Sequence, residues 1–331
     1  MILNTRAYAR AGLLGNPSDG YFGKTISIIV KNYSARITLH ESAELHIELG
    51  DRDKATFRSV KHLRDEVRQF GYYAGLRLLK ATVKRFADYC EEQGKRLPKR
   101  NFSVRYSSNI PRHVGLAGSS AIITAFLRAL CRFYEVEIPK HLQPNLILSV
   151  EKDELGISAG LQDRVVQTYE GCVYMDFDRE LMTKRGYGGY EPIDPTLLPP
   201  LFIAYRTDLS EGSEVFHNNV RQRWNAGDPD VVQAMKDFAA LAEQGRKLIL
   251  AGRGREMGPL MDANFDRRAT VYDVGEKNRR MVALGRSLGA HVSFTGSGGA
   301  VIGDYENEAM YRRLEKLYTR EGYRIFKPKV V

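Results

Sequence analysis

Pro111-Arg112-His113-Val114-Gly115-Leu116-Ala117-Gly118-Ser119-Ser120-Ala121 runs from a predicted strand straight into an apolar helical pattern, in the order strand, loop, helix. Small residues let a backbone approach an anion closely, two hydroxyls offer ligands to phosphate or a metal ion, and the following helix aims free N–H groups at negative charge. The stretch reads as a phosphate cradle. No Gly-Lys-Ser/Thr follows, so it is not the Walker loop, and a nucleotide held here implies a different lineage from the P-loop enzymes.

The elements around the cradle point to an α+β architecture. Upstream, Phe102, Val104 and Tyr106 alternate as in a strand, and residues 25–30 and 34–40 read as two strands of a hairpin turning through Lys31, Asn32 and Tyr33. Residues 59–92 carry Val67, Phe70, Leu78, Leu79, Val83 and Phe86 at helical spacing, interrupted near Gly71 and Gly75. Downstream, 144–155 and 162–169 read as helices and 171–177 as a strand. The glycine- and tyrosine-containing stretch 179–192 reads as a lid or a connector. Pro195, Pro199 and Pro200 then mark a boundary, giving an N-terminal domain of residues 1–195 and a C-terminal domain of residues 196–331. The second part opens on a strand at 201–205 and is helical over 212–288. Strands at 290–295 and 300–303 flank the turn from Gly296 to Gly299, and a helix at 307–321 and a strand at 323–327 end the chain. Without a regular βαβ period, two layers per domain fit this order.

At 331 residues, 43% hydrophobic and 27% charged, the chain can bury a substantial core and falls outside the disordered, fibrous and membrane classes. No window reaches the roughly 18 uncharged apolar residues of a spanning helix, and the first residues lack the apolar run of a signal peptide, so the expectation is a cytosolic protein with no membrane partner. Cys90, Cys131 and Cys172 are widely spaced, which argues against a disulfide scaffold or a zinc site. A net charge of +10 permits an anionic partner. The basic residues are spread along helices, as at Lys80, Lys84 and Arg85, with no aromatic RNA-binding motif, so no nucleic acid is expected.

Phosphoryl transfer needs an anion cradle, a metal ligand, a group that orients or deprotonates the attacking hydroxyl, and a cation for the spreading charge. Glu151 stands at the polar edge of the apolar run 146–150, and Asp163 follows Gly160. One carboxylate can hold Mg²⁺ with a loop serine while the other takes the proton.

Together these residues resemble the GHMP kinases. The cradle is similar to their second motif; residues 7–19, with Ala7-Tyr8-Ala9-Arg10 leading through Gly15 and Asn16 to Asp19, resemble their first; and residues 289–302, around Thr295-Gly296-Ser297-Gly298-Gly299, resemble their third. The three occur in the family's order and span the chain. The resemblance implies a two-domain α+β fold, with a ribosomal-protein-like N-terminal domain that binds ATP. It implies ATP as phosphoryl donor at Ser107, Gly115, Leu116, Ala117, Gly118, Ser119 and Ser120, and Mg²⁺ at Ser120 and Glu151. Asp163 is the expected catalytic carboxylate and Arg10 the cation beside it. Asn16, Asp19, Gly160, Gly298, Gly299 and Arg206 are the expected acceptor contacts. Asn101 to Ser108 and the region near Tyr72 are the candidate purine pocket.

Tyr8, Ala9, Asn16 and Pro17 depart from the galactokinase form of the first motif, which turns the expectation away from galactose. Residues 12–27, 160–165, 173–177, 220–224 and 294–301 are similar to the glucuronokinase branch, which implies ATP-dependent phosphorylation of D-glucuronate at the anomeric hydroxyl by a monomer or homodimer. Galacturonate, a heptose phosphate, or nucleotide and sugar binding without turnover are the alternatives. A sugar acid calls for an arginine able to pair its carboxylate through two hydrogen bonds, and Arg112, Arg164, Arg206 and the pair Arg221 and Arg223 are the candidates.

Overall fold

The apolar run after the cradle becomes a helix, Gly118–Tyr134, buried on almost every side: Ile123, Phe126, Leu130 and Phe133 have essentially no exposed surface. A helix apolar all round belongs inside a core, and truncating Phe126 to Ala would cost about 3–5 kcal/mol. The computed structural model describes residues 1–48, 59, 75–206 and 214–331, with backbone alone for 214–219. Residues 60–74 of the expected long helix, with Tyr72, lie outside the described residues.

In chain order the strands are β1 (Ile2–Leu14), β2 (Lys24–Ser42), β3 (His46–Ile47), β4 (Asn101–Ser108), β5 (Cys172–Asp176), β6 (Gly189–Ile193), β7 (Leu201–Arg206), β8 (Val292–Phe294), β9 (Ala300–Asp304) and β10 (Tyr323–Phe326). The helices are α1 (Leu76–Glu92), α2 (Gly118–Tyr134), α3 (Gln143–Ser149), α4 (Gln162–Tyr169), α5 (Arg179–Arg185), α6 (Glu214–Asn225), α7 (Pro229–Leu250), α8 (Gly258–Val271), α9 (Glu276–Arg286) and α10 (Glu308–Arg320).

β2 is the spine of a six-stranded sheet. β1 pairs antiparallel with it along most of its length, β5 pairs with its first residues and β4 with its last. The expected hairpin at Lys31 to Tyr33 is therefore a bulge within one continuous strand: the register of β1 passes from Tyr8 opposite Ser34 to Ala9 opposite Val30. The extra residues find their partners in the C-terminal tail, where Lys31 N–H donates to the Lys329 carbonyl and Asn32 Nδ2 donates to Lys327. A contact across the whole chain thus replaces the predicted turn. The stretch 179–192 is not a lid. It forms α5 and then β6, which pairs antiparallel with β5 along its full length.

The second sheet is antiparallel in the order β10-β7-β9-β8, and it starts at Leu201, just past the proline-marked boundary. Phe202, Val292 and Val301 from this sheet pack with Phe238 of α7, Phe265 of α8, Met281 of α9 and Leu314 of α10. A larger core continues from α2 and β1 to Ile203 and Ile302, so apolar packing runs between the sheets. Among the described residues no helix is long and apolar enough to cross a membrane.

Candidate active site

The cradle's backbone alternates in handedness: φ is positive at His113 (56°), Gly115 (66°) and Ala117 (57°) but at neither Val114 nor Leu116. Alternation of this kind turns successive N–H groups to one side, forming an anion-binding nest. Two of the three left-handed residues carry a side chain, at a cost of about 1–2 kcal/mol each, so the surroundings must enforce them. Around Ala117 they do so through the carbonyls. Leu116 O accepts from Arg10 N–H at 3.2 Å, Gly115 O accepts from Arg10 Nη1 at 2.7 Å, and Ala117 O accepts from Gln167 Nε2 at 3.0 Å. Because the C=O and N–H of a trans peptide unit point oppositely, holding these carbonyls against the scaffold turns the N–H groups of Leu116, Ala117 and Gly118 outward. The N-terminus of α2 adds its dipole at the same place.

That side opens onto a cavity of about 380 Å³. Arg10, Asn16, Asp19, Gly115, Leu116, Ala117, Gly118, Ser119, Glu151, Gly160 and Asp163, all expected from sequence, line it. Arg10 comes from β1, and its buried guanidinium ties the site together. Nε donates to Asp163 Oδ1 at 2.5 Å, and Nη1 donates to the carbonyls of Gly115 and Thr295 at 2.7 and 2.8 Å. One side chain on the first glycine-rich segment thereby touches the second, the third and the expected catalytic carboxylate.

Glu151 lies in a π turn, Val150–Glu154, that continues α3, and it is 1% exposed. Ser119 Oγ donates to its Oε1 at 2.6 Å, and the guanidinium of Arg164 pairs with its Oε2. Arg164 also reaches Asp163 Oδ2 at 3.3 Å. Burial works against the Arg164 charge, but Glu151 and Asp163 outweigh it and hold the guanidinium above its ordinary value. Asp19 stands apart from these pairs. Burial, with Asp163 adding repulsion, pushes its carboxyl up to about 6, although Gln162 donates to it from the backbone at 3.1 Å and from Nε2 at 3.2 Å. The Asp19 carboxylate packs directly on Gly160, where a Cβ could be placed only if one of the two shifted.

The chain is 46% identical to glucuronokinase 1 of Arabidopsis thaliana over 303 residues, covering 90% of this chain and 83% of that one. Its residues 77–171 match the model of the GHMP kinase N-terminal domain. The chain belongs to the GHMP kinases. It is also 29% identical to the D-glycero-alpha-D-manno-heptose 7-phosphate kinase of Campylobacter jejuni, across 67% of each chain. Its fold is that of Lactococcus lactis galactokinase complexed with galactose, with a TM-score of 0.77 at 14% identity over 99% of this chain and 93% of that one. As a GHMP kinase similar to glucuronokinases, it is a phosphotransferase with an alcohol acceptor, a sugar kinase. The two-domain α+β fold expected from the motifs is the fold observed.

In this kinase several expected contacts sit elsewhere. Ser120 is fully buried and donates to the Ala117 carbonyl at 3.3 Å, so Ser119, one position earlier on α2, is the hydroxyl against Glu151. Ser107 is exposed: strand alternation puts Tyr106 and Ser108 on the cavity side of β4 and turns Ser107 away. Gly298 and Gly299 do not line the cavity; their backbones press against residues 113–115, where a Cβ on Gly299 would meet the His113 carbonyl at 3.0 Å. Arg206 closes β7 with its N–H on the Gly299 carbonyl and does not line the cavity either. Of the other arginine candidates, Arg164 is committed to Glu151 and Arg223 to Asp228 at 2.8 Å, while Arg112 and Arg221 line the cavity.

Gln162, Asn264 and Arg268 were not singled out from sequence. Asn264 accepts from Gly15 N–H and donates to the Asn16 carbonyl, and Arg268 donates to Asn16 Oδ1 at 2.5 Å and to the Gly296 carbonyl at 2.8 Å. Both lie on α8, far along the chain from the turn they hold, and no local pattern marks such residues.

Proposed function

We propose that this GHMP kinase transfers the γ-phosphoryl group of ATP to the anomeric hydroxyl of D-glucuronate, giving glucuronate 1-phosphate and ADP. The observation that carries the reading is the junction at Arg10, where a buried cation, the Asp163 carboxylate and the nest of the glycine loop meet on one cavity wall. Similarity to glucuronokinase 1 along nine-tenths of the chain supports the acceptor.

The cavity has two ends. Gly75, Leu78, Tyr106 and Ile110 form an apolar end next to the loop, suited to a purine, while Asn16, Asp19, Gly20 and Gly160 form a polar end suited to a sugar. The γ-phosphorus then lies between them, near Arg10 and Asp163. Asp163 accepts the proton of the anomeric hydroxyl as its oxygen bonds to phosphorus and the bond to the β-γ bridging oxygen breaks. Arg10 stabilises the charge on the transferred group and holds Asp163 in place. Because the transition state is loose, positioning contributes more than proton removal.

Ser119 Oγ and Glu151 Oε1 are hard oxygen donors side by side on the cavity wall, a pair that fits Mg²⁺ completed by phosphate and water oxygens. The ion's chemistry there is to neutralise phosphate charge. Arg164 keeps the other Glu151 oxygen occupied, which limits the residue to one-oxygen binding. The division into an ATP-binding domain (1–195) and a C-terminal domain (196–331), and a cytosolic setting, go with this reading.

ADP release measured with glucuronate, galacturonate, glucose, galactose and a heptose 7-phosphate side by side tests it. Preferred turnover of glucuronate with a product labile to mild acid, as anomeric phosphates are, is expected. Preference for any other sugar overturns the acceptor assignment, and binding without ADP release overturns catalysis.

A further inference from the structure

We propose that Arg221, on α6 in the C-terminal half, is the residue that makes the acceptor site select a sugar acid over the corresponding neutral sugar. The inference rests on the reading of the polar end of the cavity as the acceptor site.

Three observations carry it. Arg221 lines the cavity at its polar end, with Asn16, Pro17, Asp19 and Gly20, whereas Arg112 belongs to the nucleotide loop and Arg77 to the start of α1 beside Gly75 and Leu78. Its guanidinium is oriented in advance: it stacks over the Tyr21 ring at 4.0 Å and donates Nη2 to the Gly20 carbonyl at 2.7 Å. The guanidinium lies close over Gly20, where a Cβ would come within 2.9 Å of Nη2. Finally, one hydrogen bond uses a fraction of five donors, and among the described residues no carboxylate pairs with Arg221. Two other arginines that line the cavity are paired with carboxylates, Arg10 with Asp163 and Arg164 with Glu151.

A planar fork held over an aromatic ring, whose remaining donors make no hydrogen bond among the described residues, matches a carboxylate through two parallel hydrogen bonds. Another arginine, Arg268, lies behind Asn16 and off the cavity wall. Arg268 is 3% exposed, its Nε has no hydrogen-bond partner and no carboxylate pairs with it among the described residues. It donates to Asn16 and so acts through that residue rather than by contact. Among the described residues Arg221 thus brings to the polar end a positive charge that no carboxylate pairs, and an anionic acceptor supplies one.

The test compares kcat/KM for glucuronate with that for glucose, and for galacturonate with that for galactose, in the wild-type chain, R221M, R221K and R223M, with KM for ATP as the check on folding and on the nucleotide end. A charged hydrogen-bonded pair contributes about 1.5–3 kcal/mol, so R221M is expected to lower the acid-to-neutral ratio about 10- to 150-fold. Its neutral-sugar kcat/KM and its KM for ATP should stay within about twofold. R221K keeps the charge and loses the fork, and is expected to fall between; R223M, whose arginine is held by Asp228, should keep the wild-type ratio. A wild-type ratio in R221M or in R221K overturns the proposal, as does an equal loss for acid and neutral sugars, which is the mark of a merely structural arginine. If the wild-type chain prefers galacturonate, the glucuronate assignment fails while Arg221 is judged on the galacturonate pair; if it prefers neutral sugars, both fail.

Discussion

Arg10 and Asp163, 153 positions apart, are joined by a hydrogen bond of 2.5 Å from Nε to Oδ1 on the wall of the cavity. The same guanidinium accounts for the conformation of the glycine loop, since it also anchors the Gly115 carbonyl. The proposed catalytic carboxylate and the anion-binding nest are thus set by one rigid group, and damage to either is expected to appear at the other.

Asp163→Asn removes the proposed proton acceptor but keeps the shape and an acceptor oxygen for Arg10. We expect kcat to fall by about 10²–10⁴-fold, the range for loss of a general base, with KM for ATP little changed. Single-turnover kinetics with saturating ATP check this, and near wild-type turnover would remove Asp163 from the mechanism.

Ser119 and Ser120 separate on geometry. Ser119→Ala takes away the hydroxyl beside Glu151 and should raise the Mg²⁺ concentration for half-maximal activity by about 10- to 100-fold, the range seen when metal-site support is lost. Ser120→Ala loses one hydrogen bond inside the core, of order 1 kcal/mol, and should leave the Mg²⁺ dependence alone. A Mg²⁺ titration of both variants, with Tm alongside, distinguishes the roles; the opposite pattern would return Ser120 to the metal.

Asp19 has a pH consequence with a definite sign. Its carboxyl titrates at about 6 in the folded chain against an ordinary 3.8, so the native state binds the proton more tightly. Stability therefore falls as pH rises from about 4 to about 6, and Asp19→Asn should escape that loss. Binding runs the other way, because the ionised form is the better acceptor for sugar hydroxyls: kcat/KM for the sugar should drop as pH falls through about 6, and the inflection should vanish in the variant. A pH profile of wild type and Asp19→Asn, read for both activity and Tm, checks the two opposed trends.

Gly160→Ala places a methyl group where the Asp19 carboxylate packs. The carboxylate or the start of α4 must shift, and a displacement of the order of 1 Å at a reacting centre costs about 10²-fold. The loss should fall on kcat/KM for the sugar while KM for ATP stays put, since Gly160 lies at the polar end of the cavity. Equal losses for both substrates would mean that the helix, not the pocket, had been damaged.

Much of this was legible locally. A glycine-rich loop before an apolar helix, two acids at the polar edges of helices and a second glycine turn late in the chain are patterns of neighbours, and neighbours are what a sequence displays. β1 was harder to see, because from Ala9 to Leu14 every residue is buried and the alternation that marks a half-exposed strand is lost. The hairpin expected at Lys31 to Tyr33 failed for a related reason: the partners of those residues are at Lys327 and Lys329, beyond the reach of any local pattern.

The family, the α+β class and the loop and acid residues that meet at the cavity were thus readable from the chain itself, because each is carried by residue types at fixed short spacing. Three features emerge on folding alone: Ser119 rather than Ser120 faces Glu151, Arg164 is spent on Glu151, and Arg221 lines the polar end without an acidic partner among the described residues. Which way a side chain points, and which of its hydrogen bonds are already made, depends on groups that folding brings from elsewhere in the chain.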